Sequence, residues 1–218
     1  MSESKKPMFE LQRVFPPENH RRVLQIRFLM ASQALAAIFR VIQLLPRTPA
    51  TAESKNYLMM LSIGAANEAA IAFLEADRGG ALDELLKSGW VEMQETVARL
   101  RQECDEHISA SLRKTILLVA RNTMGFHWDP KIVKRSLDRL RKADVAVWAG
   151  GESEQIADTA FPLASAIIHD ALEAAIGGTK EDVDAMMSRI VSMQADCYNL
   201  AHGLYTVALK NAGVTGVK

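Results

Sequence analysis

The residues best suited to chemistry lie in the segment Arg121–Pro130, where Asn122 follows the arginine directly and His127 follows it by six positions. The guanidinium of Arg121 is charged at physiological pH, whereas an imidazole titrates near neutrality and can take up or release a proton. In one unbroken α-helix of about 3.6 residues per turn, this offset would leave the two side chains on different faces. Gly125 can leave helical geometry, so a bent junction would allow both side chains to meet one small anion such as a phosphate.

A basic segment follows this junction. Between residues 131 and 142 the only acid is Asp138, and the cations are Lys131, Lys134, Arg135, Arg139, Arg141 and Lys142. Phosphate groups of a nucleic acid would be attracted to such a segment. We therefore interpret Lys131, Lys134 and Arg135 as candidate substrate-binding residues, and the alternative is an ordinary solvated helix face.

The motif resembles the hallmark of HEPN domains. These are small helical domains in which an Arg, usually followed by Asn, Asp or His, precedes a His by a few residues at the junction of two core helices. Arg121, Asn122 and His127 match this form, and the flanking residues 117–120 and 126–129 are similar to an uncharacterised bacterial branch of the family. The resemblance covers roughly residues 54–142. It implies a homodimer in which the two motifs face a shared cleft.

The resemblance also implies an activity. Active members are endoribonucleases that need no metal, and no cofactor is expected here. His127 would transfer a proton as the ribose 2′-hydroxyl attacks the adjacent phosphate, Arg121 would hold that phosphate, and Asn122 would orient the site. Other members bind RNA or nucleotides, or act as assembly modules, without catalysis.

Family members often hold the arginine with an acidic residue from a neighbouring helix, and Glu68 is the candidate for that role, or else an ordinary surface carboxylate. The competing hypothesis for the whole protein is a non-catalytic helical interaction or assembly protein. In that case Arg121 pairs with Glu68, and His127 caps a helix end. Exposure distinguishes the two hypotheses, because a catalytic Arg and His must reach solvent.

The elements that must position these residues are predicted to be helices. Apolar residues make up 49% of the chain but aromatic residues only 6%, which suits close-packed helices better than sheets. The sequence has no sustained alternation of period two and no Asn-Gly or Asp-Gly hairpin turn. We therefore predict an all-α fold, an antiparallel bundle of about five to seven helices.

Apolar spacing of three or four residues predicts the individual helices. The second runs from about residue 54 to 76 and packs antiparallel to a long helix over 90–120, and further helices are predicted over 131–142, 158–176 and 180–212. Thr179 and Asp182 form a weaker version of a capping box before the last one. The first helix, which follows Pro16 and Pro17, carries an apolar stripe of Val23, Ile26, Met30, Ala34, Ala37, Val41 and Leu45.

The predicted organisation is a flexible arm over residues 1–15, a HEPN-like core over 16–149 and a C-terminal helical pair over 150–218 that packs on the core. Lys plus Arg and Asp plus Glu number 26 each, but residues 97–142 carry eleven cations and five acids, and residues 143–218 carry four and ten. A basic middle region in a neutral protein is what a local anion site would look like, and the alternative is a set of solvated helix faces that happen to differ in charge.

Cys104 and Cys197 lie in helical patterns without neighbours at metal-ligand spacing, which predicts buried, reduced thiols. The first residues lack the apolar run of a signal peptide, and no window approaches the ~18 uninterrupted apolar residues of a membrane span. The sequence therefore predicts a cytoplasmic protein without a membrane partner. The expected partners are a second copy, RNA or a nucleotide and, by analogy with the family, a protein such as an antitoxin.

Overall fold

The protein is all-α, as predicted. The computed structural model describes residues 11–46, 49–117, 130–140, 166–167, 170, 173–174 and 179–214. No residue in these ranges lies in a β-strand. The main helices among them are α1 (Leu11–Val14), α2 (His20–Leu44), α3 (Pro49–Arg78), α4 (Asp83–Lys87), α5 (Val91–Cys104), a π-helical turn (Arg113–Leu117), α6 (Pro130–Leu140) and α7 (Lys180–Asn211).

Helices α2 and α3 form an antiparallel pair. Leu24 near the start of α2 lies against Gly79 just after α3, and Phe28 packs one turn further along on Phe73, with ring centroids 6.0 Å apart. Both rings are completely buried. A Cβ atom at Gly79 would overlap with Leu24 Cδ1 and lie 3.0 Å from the backbone carbonyl oxygen of Glu75, so glycine favours the close approach at this end.

Helix α7 is the antiparallel partner of α5. Met93 near the start of α5 lies against Gly203 near the end of α7, and Glu103 at the other end accepts a hydrogen bond from Arg189 at 2.6 Å. Buried residues of α7 belong to the same hydrophobic core as those of α2, α3 and α5. This helix of the predicted C-terminal pair is therefore an integral part of the core.

The N-terminus of α7 is fixed by the predicted capping box. The backbone N–H of Thr179 donates to the Asp182 carboxylate at 2.7 Å, and the reciprocal bond to the Thr179 side chain is also present. Two N–H groups that would otherwise lack partners are satisfied in this way.

The buried face of α2 differs from the predicted stripe. Its buried residues are Gln25, Phe28, Ser32, Leu35 and Ala36. In the stripe, by contrast, Met30 is 69% exposed, and Val23 and Val41 are each 46% exposed. The spacing identified the helix correctly but not the face that enters the core, because α2 carries apolar residues on two sides.

The helix predicted over residues 90–120 is interrupted. Helix α5 ends at Cys104, and the π-helical turn begins at Arg113. Between them, the Asp105 carboxylate accepts from the backbone N–H of His107 at 2.9 Å, and the Ser111 hydroxyl oxygen accepts from that of Lys114 at 3.0 Å. Such local bonds compete with helical ones, and apolar periodicity does not detect them.

Residues 54–76 are predicted to pack antiparallel on residues 90–120, and helix α3 contacts both α5 and the π-helical turn that follows it. Arg101 in the last turn of α5 pairs with Asp77 in the last turn of α3, at 2.7 Å. The predicted packing of these two segments is therefore present in outline.

Residues 11–15 are a packed segment, which corrects this part of the predicted flexible arm. Val14 and Phe15 are buried against Ala208 and Leu209 of α7. The ring of Phe15 stacks on that of Tyr205, with centroids 6.0 Å apart. An apolar anchor of this kind fixes a terminal segment that composition alone suggests is loose. Residues 1–10 lie outside the described ranges.

Cys104 and Cys197 are buried, free thiols, as predicted. Burial raises the pKa of both thiols, because apolar surroundings disfavour the thiolate, and the neighbouring Cys197 adds to the rise in the pKa of Cys104. Neutral, inaccessible thiols are unreactive, so both serve as small core residues.

Two helical stretches among the described residues are long and apolar enough to cross a membrane, judged by length and composition alone: His20–Leu44 and Tyr57–Arg78. In the most apolar window of Tyr57–Arg78, 56% of the window is buried inside the protein, which fits a core helix. In the corresponding window of His20–Leu44, 28% is buried. The cytoplasmic location remains a prediction.

Candidate functional site

The central residues of the motif, Arg121, Asn122 and His127, lie outside the described residues. The structure does place the elements on both sides of the motif in sequence, and it places the helix that carries Glu68. Lys131, the first of the candidate substrate-binding residues, belongs to the first turn of α6.

The chain approaches the motif through the π-helical turn, which ends at Leu117, four positions before Arg121. Leu117 is completely buried and anchors this turn in the core, and Arg113 at its start pairs with Glu106 at 3.3 Å. A π-helical turn shifts the direction of the side chains that follow it relative to an α-helix, and such turns are frequent at functional sites.

Helix α6 begins at Pro130, whose fixed backbone angle suits the first position of a helix. Lys134 and Arg135 are exposed on it, and neither forms an ion pair with another described residue. Arg139, one turn further on, pairs with Asp170 at 3.1 Å. Lys134 and Arg135 thus keep their charge available for an anion.

Glu68, the predicted partner of Arg121, is exposed on α3. An exposed carboxylate fits both the predicted pairing and an ordinary surface residue. The contact itself lies outside the described residues, because Arg121 does.

Asn67, the neighbour of Glu68, is completely buried, and neither its amide nitrogen nor its amide oxygen has a hydrogen-bond partner among the described residues. An unpaired buried polar group costs about 1–3 kcal/mol. Glu68 is the predicted site residue of this segment, whereas Asn67 is its energetically unusual residue.

Replacing Asn67 with leucine should therefore raise the free energy of unfolding by about 1–2 kcal/mol. Leucine has a similar volume and removes two unpaired polar atoms, and chemical denaturation of the two proteins measures the difference. The Asn67→Asp variant is the matched control, because it keeps the shape but buries a carboxylate, and it should be less stable at neutral pH. A loss of stability in Asn67→Leu would show that the carboxamide has a partner.

A second surface feature, which sequence analysis missed, is a groove of about 540 Å³ between α4 and α7. Its wall includes Lys87, Lys210, Glu84 and Trp90, and Trp90 is 39% exposed. An exposed indole can stack on a base, and the two lysines can attract its phosphate because the Glu84 carboxylate is already paired with Arg22. Lys87 and Lys210 are far apart in the sequence, so only the exposed aromatic residue could have drawn attention to this groove.

Among the described residues, no group of three or more His, Cys, Asp or Glu side chains could hold a metal ion. The motif lies outside that part of the chain.

Comparisons of this chain with models of protein families, with curated proteins and with solved structures give no match. The likeness to HEPN domains therefore rests on the motif residues and on their position between helical segments.

Proposed function

We propose that the protein is a homodimer of the HEPN type that cleaves RNA, or binds RNA or a nucleotide, through Arg121, Asn122 and His127. The observation that carries the proposal is the Arg-Asn…His sequence directly before a helix that exposes Lys134 and Arg135. Cations on this helix would hold backbone phosphates beside the motif.

In the catalytic form of the proposal, His127 accepts the proton of a ribose 2′-hydroxyl while that oxygen attacks the adjacent phosphorus atom. The bond from phosphorus to the 5′-oxygen breaks, and this oxygen takes a proton from the imidazolium or from water. Arg121 stabilises the charge that develops on the phosphate. The product is a cyclic phosphate that water can open, and DNA is not a substrate because it lacks the attacking hydroxyl.

The groove between α4 and α7 supports the binding form of the proposal. Trp90 and the two lysines can bind an aromatic anion. The residues that line this groove include no Arg–His pair of the kind that cleavage needs. The competing class, an interaction or assembly protein in which the motif is structural, requires neither RNA cleavage nor RNA binding.

The pure protein should cleave mixed RNA in excess chelator and leave DNA intact, because the proposed chemistry uses only side chains and the 2′-hydroxyl. The products should carry cyclic or 3′-phosphate ends, which end-group analysis on a sequencing gel detects. The double variant Arg121→Ala, His127→Ala is the control for a contaminating nuclease.

Binding of RNA by the wild type without cleavage would favour the binding form of the proposal. A protein that neither binds nor cleaves any RNA or nucleotide would contradict both forms, and Arg121 and His127 would then be structural residues.

A further inference from the structure

A small cleft of about 160 Å³ lies between α2 and α7, and we call it the α2–α7 cleft. The residues of α2 that line it are Leu29, Ser32 and Gln33. The residues of α7 that line it are Tyr198, Ala201, His202 and Tyr205. Of these described lining residues, none is a Lys, Arg, Asp or Glu. Because a charge that leaves water without a partner is costly, the cleft suits an uncharged molecule.

Ser32 contributes a hydrogen-bonding group without a partner to this cleft. It is 1% exposed, and its Oγ atom has no hydrogen-bond partner among the described residues. Gln25, the other buried polar residue of α2, is satisfied by contrast. It accepts from Arg22 at 2.8 Å and donates to the carbonyl oxygen of Ala81 at 2.7 Å. Since buried polar groups are nearly always paired, the Ser32 hydroxyl indicates a partner that enters the cleft.

Two tyrosines border the α2–α7 cleft along α7. Tyr198 and Tyr205 are two helical turns apart, about 10.5 Å along the axis, and the small residue Ala201 lies between them in sequence. Tyr198 is 44% exposed, whereas the ring of Tyr205 stacks on that of Phe15. A planar ring between the two tyrosines can make the edge-to-face contacts that aromatic groups favour.

The volume of the cleft limits the size of its ligand. A cavity of about 150 Å³ can hold one benzene ring, and the α2–α7 cleft has about this volume. One six-membered ring therefore fits, whereas a second ring would extend into solvent.

The polar side chains at the cleft select the substituent on that ring. The Ser32 hydroxyl can donate a hydrogen bond, and the exposed carboxamide of Gln33 can both donate and accept. A primary amide offers the complementary set, a carbonyl oxygen that accepts and an amino group that donates.

We propose that the α2–α7 cleft binds an uncharged, single-ring aromatic amide, the chemical class of benzamide and nicotinamide. The Ser32 hydroxyl donates to the carbonyl oxygen of the amide, and Gln33 accepts from its amino group. The ring lies over Ala201 between Tyr198 and Tyr205. This inference does not rest on the proposed function, because none of the residues that line the cleft belongs to the motif or to α6.

Benzamide should bind to the purified full chain with a Kd of about 1 mM or below, as expected for a ligand of so few atoms. Heteronuclear NMR of the isotope-labelled protein measures this binding. Increasing benzamide should shift the backbone amide signals of Ser32, Gln33, Tyr198 and Ala201, and the shifts should saturate together.

Variants separate the hydrogen bond from the contacts with the ring. Ser32→Ala should raise the Kd for benzamide about five- to tenfold, because it removes one hydrogen bond. It should leave the Kd for toluene unchanged, since toluene has the ring but no acceptor. Tyr198→Ala should weaken the binding of both molecules. Tyr57→Ala is the matched control, at a tyrosine of α3 that is 52% exposed and lies outside the cleft, and it should weaken neither.

Shifts that do not saturate at about 10 mM benzamide, or that map outside the cleft, would overturn the inference. A Ser32→Ala variant that binds both molecules as the wild type does would also overturn it. So would one that loses both equally, because the hydroxyl would then have no specific role toward the amide.

Discussion

Replacing His127 with alanine should lower the rate of RNA cleavage by about 10²–10⁴-fold, because that is the typical contribution of a general acid or base. Single-turnover cleavage of a defined RNA oligonucleotide, at protein concentrations above its Kd, measures the chemical step without the contribution of binding. His107→Ala is the matched control: His107 is an exposed histidine in the loop after α5, outside the motif, and its loss should leave the rate unchanged.

Arg121→Lys should also slow cleavage, since a lysine ammonium cannot reproduce the planar, two-pronged grip of a guanidinium on phosphate.

Lys134→Ala and Arg135→Ala should behave differently. They remove exposed charges of α6, so they should weaken RNA binding and its salt dependence while the single-turnover rate at saturation stays close to wild type. Equal effects of all these variants on the rate at saturation would contradict the separate roles assigned to the motif and to α6.

Local signals in the sequence predicted the helices well. The Thr179–Asp182 capping box is present at the start of α7, Pro130 begins α6, and α3 ends at Arg78 just before two glycines. Each of these features depends on residues close together in the chain. Capping and turn chemistry is decided locally, so these element ends could be read before any tertiary contact was known.

Which face of a helix enters the core depends on the neighbouring helices, so local residue patterns did not predict it. Helix α2 has apolar residues on two sides, and only its contact with α3 shows that Phe28 enters the core while Met30 stays outside. The break after Cys104 had a local signal in Asp105 and Ser111, but both residue types also occur within helices.

In the candidate site, too, some features could be predicted from the sequence and others could not. Lys134 and Arg135 are exposed on α6, as charged residues usually are, and their binding of a phosphate stays a prediction. The burial of Asn67 and the groove that joins Lys87 to Lys210 depend on contacts between distant parts of the chain, and no residue pattern indicated them.

The packing of α2 on α3 decides which face of α2 enters the core. Phe28 and Phe73 are at the centre of this pair, both completely buried, with their ring planes inclined at 59°. Tilted aromatic contacts of this kind contribute about 0.5–1.5 kcal/mol beyond the burial of apolar area.

Phe73→Ala should lower the free energy of unfolding by about 3–5 kcal/mol, because it removes a buried ring and leaves a cavity that the helices fill only in part. Chemical denaturation measures the loss, and the Phe28→Ala and double variants complete a thermodynamic cycle that isolates the contact between the two rings. Val91→Ala, at a position 63% exposed on α5, is the control and should change the free energy by less than about 0.5 kcal/mol. If Phe73→Ala cost no more than this control, α2 and α3 would not be held together through these rings.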